Sequence, residues 1–219
     1  MNKILSIVLF ISLIAFSSCN ETVSKVQDVL TFEKNKTIGI QAFENFDQAL
    51  VDTVKQTIED VYRFKVIILN RIDLPKEAYT NIKSSRYRAD TLIRFLRKIK
   101  SDSIDHILGL TNKDISFTKK DKSGNIKKPE YKYEDWGIFG LAFVPGSTCV
   151  ISTYRLKKNK TKFIERFKKV CIHELGHNLG LKHCKFSEKC VMCDAAETIK
   201  TVDRVDLKLC NKCKQKIGI

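Results

Sequence analysis

No internal repeat and no low-complexity tract occurs in the 219 residues, which excludes solenoid and array architectures. Proline (three) and glycine (nine) are too sparse for a collagen-like chain, and the 43% hydrophobic content is ordinary for a globular protein. The one long apolar run, residues 4–16, falls short of the roughly 20 residues that a membrane-spanning helix needs. Acidic residues are outnumbered, 25 Asp and Glu against 40 Lys and Arg, for a net charge of +15. Lysines cluster at 119–132, 157–169 and 208–216, yet aromatics are not interleaved with them as on a single-strand nucleic-acid platform. The charge can be read as nucleic-acid binding, as attraction to anionic lipid headgroups, or as a solvated lysine-rich surface. The last is simplest, and no nucleic acid is expected as a partner. Histidine is scarce: there are four, and three of them fall within residues 173–183.

That stretch reads HELGHNLGLKH. Residues four apart share a helix face, so His173 and His177 can offer imidazoles to one ion. Glu174 can reach a water held there. Gly180 can adopt a left-handed conformation, stop the helix and turn the chain. His183 then returns as a third ligand. Three protein ligands with a fourth position left for water is the catalytic zinc pattern rather than the structural one.

The chain continues HCKFSEKCVMCDAAETIKTVDRVDLKLCNKC from His183. Four thiolates in two groups, ending in Cys210-x-x-Cys213, suit a closed tetrahedral zinc site built from Cys184, Cys190, Cys210 and Cys213. Cys193 can take the place of Cys190, because both lie on one short turn. A pair of disulfides is the alternative, since the chain carries export features. Cys149 and Cys171 fall in apolar runs and read most simply as small buried hydrophobes, with a bridge between them as the other option.

HExxHxxGxxHC followed by CxM, 17 residues and CxxC resembles the archaemetzincin (archaelysin) family of metzincin zinc peptidases. Five residues separate Cys184 from Cys190 where the family has four, a one-residue loop insertion. The resemblance implies a peptide or protein substrate and two zinc ions, one catalytic and one structural. It gives Glu174 the general-base role and places Met192 under the catalytic zinc as an apolar floor. The plainer reading of Met192 is a gap-filling core residue. The alternative function is a catalytically weak zinc-bearing binding or scaffold protein, against which the intact Glu174 argues.

At the N-terminus a charge at Lys3, the apolar run and small residues before Cys19 have the layout of a signal peptide, residues 1–18. Phe16-Ser17-Ser18-Cys19 resembles a bacterial lipoprotein box, in which Cys19 would be lipidated. An ordinary cleaved signal and an uncleaved anchor are the alternatives. Residues 19–36 would be a tether, and the expected location is the cell envelope, anchored to the membrane by lipid.

The remaining length suits one compact domain. Strands are expected at 37–43, 65–70 (buried), within 105–116, at 137–143 and at 149–156. Helices are expected from Asp47, a possible cap, to Phe64, over 86–100, and from about 160 to 178. Residues 119–132 read as an exposed loop. The alternation implies an α/β (α+β) fold with a mixed sheet. The resemblance makes it metzincin-like: a twisted sheet, a backing helix and the active-site helix in residues 37–180, then a small irregular zinc-stapled subdomain in 181–219. Residues 137–143 are read either as a cleft-bordering edge strand or as a core strand. Nothing points to an obligate oligomer, so a monomer is expected.

Overall fold

The computed structural model describes residues 36–158, 160–194 and 198–219. The expected signal segment, Cys19 and all of the tether except its last residue lie outside the described residues. No helix among the described residues is long and apolar enough to cross a membrane. In chain order the elements are β1 (Thr37–Ala42), α1 (Gln48–Tyr62), β2 (Lys65–Ile68), β3 (Tyr79–Thr80), β4 (Arg86–Arg88), α2 (Ala89–Ile99), β5 (His106–Thr111), β6 (Ile115–Phe117), α3 (Glu130–Tyr133), β7 (Trp136–Ile138), β8 (Gly140–Ala142), β9 (Thr148–Ser152), α4 (Phe163–Asn178), α5 (Ile199–Arg204) and α6 (Asn211–Lys216).

The main sheet has the order β2-β1-β5-β9-β8. Its first four strands are parallel and β8 runs antiparallel to β9, so the sheet is mixed, as expected. Side chains alternate across it. Ile38, Ile40, Leu108, Leu110, Cys149 and Ile151 face the core shared with α1 and α4. Ile107 and Val150 face the core shared with α2. Asp47 caps α1 by accepting a hydrogen bond from the Ala49 amide at 2.9 Å. This satisfies one of the orphan donors of the first turn. Leu50, Val54, Ile58 and Tyr62 recur at helical spacing on its buried face.

In three places the structure departs from the sequence-based expectation. β2 is the outermost strand of the sheet rather than a buried one, and its Ile68 is 42% exposed. Residues 86–88 pair as β4 before the helix begins at Ala89. They belong to a second sheet of order β3-β4-β6-β7. This sheet is tied by buried charges: Arg86 lies 3.2 Å from both Asp114 and Asp135, and Arg155 meets Asp114 in a two-bond fork at 2.6 and 2.8 Å. The third departure is in residues 137–143, which are split between the sheets, β7 in the second and β8 at the edge of the first.

Among the described residues beyond Gly180, α5 and α6 are the regular elements. Leu181, Val191, Met192, Val202, Val205 and Leu209 join the α1–α4 core rather than forming one of their own. Asp203 on α5 grips the buried Arg166 of α4 in a second two-bond fork, at 2.7 and 2.8 Å. The guanidinium holds the Asp203 carboxyl below its ordinary range.

Candidate metal centres

α4 turns one face, Arg166, Lys169, Val170, His173, Glu174 and His177, into a cleft of about 890 Å³. The His173 and His177 rings stand one helical turn apart, with centroids 4.6 Å from each other. Gly180 sits at φ +91°, where a Cβ would be strained, and there the helix stops. The chain returns His183 to within 5.4 Å of the His173 ring and 5.0 Å of the His177 ring. One ligand nitrogen from each of the three lies within 4.8 Å of the others. The fourth histidine, His106, is on β5, where its Nδ1 meets the Gly146 carbonyl at 3.1 Å.

The tautomers follow from the partners. His173 Nδ1 lies 2.8 Å from the Val191 carbonyl and His177 Nδ1 lies 2.7 Å from the Leu181 carbonyl. A carbonyl oxygen only accepts, so each Nδ1 carries the proton and Nε2 keeps its lone pair for a ligand role. Burial pushes His173 down to about 3 and lowers His177, which keeps both imidazoles neutral near pH 7. His183 Nδ1 faces the Asp194 carboxylate at 3.5 Å.

Glu174 is buried, and burial pushes its carboxyl up to about 8. A divalent cation among the histidines would pull it back toward the ionised form. Its side chain rests on β8: a Cβ at Gly140 would come 2.7 Å from Glu174 Cγ and 3.0 Å from Oε1. Gly140→Ala is therefore expected to fold normally but displace the carboxylate. The expected loss in kcat/KM is about 10²-fold, the cost of a misplacement near 1 Å. Peptide hydrolysis within twofold of wild type would refute this. Gly140 was not legible as a site residue in the sequence, where only the edge-strand reading touched it.

Met192 is fully buried and packs against Gly176, between the two helical histidines, a position that the floor and core-filler readings share. Cys184, Cys190, Cys210 and Cys213 converge, with sulfurs within 4.8 Å of one another. The Cys184–Cys210 and Cys190–Cys213 sulfur separations are 3.6 and 3.8 Å. A zinc–sulfur bond near 2.3 Å gives a tetrahedral edge of about 3.8 Å, whereas a disulfide would need about 2.05 Å. The amides of Phe186 and Cys210 point at Cys184 and Cys190 sulfurs, each at 3.4 Å, as suits thiolate charge. Cys193 lies outside the cluster, its thiol 3.0 Å from the Ser187 carbonyl. Cys149 and Cys171 are buried free thiols in the main core.

β7 and β8 form one wall of the cleft, and residues within 191–194 and 198–205 form the other. A family model described as peptidase family M54 matches residues 34–218. The chain belongs to peptidase family M54. Among curated members it is 29% identical to the archaemetzincin of Halobacterium salinarum over 74% of this chain and 87% of that one. It is 31% identical to the archaemetzincin of Haloarcula marismortui over 73% and 87%. The crystal structure of archaemetzincin from Methanopyrus kandleri superposes with a TM-score of 0.66 at 26% identity, covering 84% of this chain and 94% of that one. That of Archaeoglobus fulgidus, complexed with malonate, gives a TM-score of 0.63 at 26% identity, covering 82% and 99%. The M54 fold therefore extends over nearly all the described residues. Lys169 and Arg166, one and two turns before His173, are cleft residues that the sequence reading missed. Counting back along the helix face from His173 would have found them.

Proposed function

We propose that this chain is a zinc-dependent metallopeptidase, with one zinc held by His173, His177 and His183 and a second, structural zinc held by Cys184, Cys190, Cys210 and Cys213. The observation that carries the reading is the convergence of three histidines, two with their Nδ1 protons committed to backbone carbonyls, beside a buried carboxylate. The catalytic zinc, when bound, lowers the pKa of its water from 15.7 to roughly 7 and polarises the scissile carbonyl.

The chain's own groups supply the rest. Glu174 takes the proton from the attacking water and delivers it to the leaving amine. Gly140 leaves room for that carboxylate against β8. β8 ends the sheet order and lines the cleft, so an extended substrate can add to its outer edge through main-chain hydrogen bonds. Met192, packed against Gly176, supports the helix under the histidines.

Hydrolysis of a peptide library by the purified protein tests this reading. Activity should disappear with a zinc chelator and return on adding zinc. Hydrolysis that survives full metal removal would exclude the zinc mechanism.

A further inference from the structure

The cleft is lined by five cationic side chains, Lys119, Arg155, Arg166, Lys169 and Lys182, against two carboxylates, Glu174 and Asp194. Most of these cations are committed. Arg155 is forked onto Asp114, Arg166 is forked onto Asp203, and Lys119 lies 4.5 Å from the Trp136 ring centroid. Lys182, next to His183 in sequence, is exposed. Lys169 differs. Its side chain is only 8% exposed, although an ammonium is rarely buried without close pairing. Among the described residues, its polar contact is one ion pair to Glu165 at 3.4 Å. Glu165 is itself 53% exposed and does not line the cleft. The ammonium has three donors, so this contact leaves capacity for another acceptor.

The surroundings suit that acceptor being a carboxylate. Val170, Val202 and Val205 line the same cleft, and an apolar lining strengthens an ion pair formed against it. Lys169 sits one helical turn before His173, a rise of about 6 Å along the helix. That is the reach of a side chain flanking a bond held at the histidines.

We propose that Lys169 is a specificity-determining residue that pairs with an acidic side chain flanking the scissile bond, so that the substrates are acidic peptides. This rests on the peptidase reading. Arg166 acts indirectly, holding α5 as the opposite wall through Asp203.

The test uses peptide pairs differing only in Glu or Gln at the residue before or after the cleaved bond. The zinc-loaded protein should favour Glu by about tenfold in kcat/KM at one of the two positions, the discrimination expected when a charged hydrogen bond is made or lost. In Lys169→Met the Glu-to-Gln ratio should fall to near one. Lys169→Arg should keep it, and Lys169→Glu should reverse it in favour of the Gln peptides. Equal cleavage of Glu and Gln peptides by wild type, or a preference that survives Lys169→Met, would overturn the proposal. Binding of the same labelled peptides to zinc-loaded Glu174→Gln separates the two ideas. Glu-selective binding that Lys169→Met abolishes, without turnover by wild type, would refute the peptidase reading and leave the Lys169 site standing. Equal binding of Glu and Gln peptides would refute the site itself.

Discussion

Glu174→Gln should keep the full zinc content of the protein and lose peptide hydrolysis by about 10³-fold, the usual scale for removing a positioned proton carrier. The substitution keeps shape and volume, so the side chain still fits between α4 and the open Cα of Gly140. The amide can no longer take up the proton of the attacking water. Because Glu174 is not among the converging nitrogen ligands, zinc should be retained. Elemental analysis beside an initial-rate assay separates the outcomes. Full activity in a zinc-loaded variant would remove Glu174 from the mechanism. Loss of zinc together with activity would mean that Glu174 shapes the metal site rather than serving as its base.

Cys213→Ser should lose the structural zinc and cost at least about 4 kcal/mol of stability, the range reached when a metal site is destroyed. For a domain of this size that is a fall in Tm of roughly 10 °C. Cys190 and Cys213 are both buried, and burial pushes the Cys190 thiol up to about 11. Without a cation it stays protonated at neutral pH, whereas a bound metal deprotonates it outright. The damage should also reach the histidines. His183 directly precedes Cys184, and the Val191 carbonyl that orients His173 directly follows Cys190. Catalytic zinc should therefore bind more weakly in Cys213→Ser. Thermal denaturation and zinc titration of the variant check both effects. An unchanged Tm would mean that the four thiols do not hold a folding metal.

The parts of the site legible in the sequence are those where spacing alone dictates geometry. His173 and His177 are four apart on a helix, and Gly180 is where a left-handed residue must turn the chain toward His183. The four clustered cysteines follow the same logic, and the geometry places Cys190 in the cluster and Cys193 outside it. The long strands and helices were legible because their apolar period is sustained. The second sheet was not. Strands of two or three residues, such as β3 and β4, carry no period. The charges that hold them, Arg86, Asp114, Asp135 and Arg155, look in the sequence like ordinary surface residues. The division of 137–143 between two sheets was hidden for the same reason. Its consequence, a glycine opposite the buried carboxylate, appears only when β8 is set beside α4. Lys169 was hidden by the abundance of lysine around it; its burial alone sets it apart.

Zinc stoichiometry in wild type and in His177→Ala distinguishes two separate metal centres from one. About two zincs per chain are expected in wild type and about one in the variant, since removing a histidine leaves the four-thiolate site intact. Equal zinc content in the two proteins would contradict a metal centre at His173, His177 and His183.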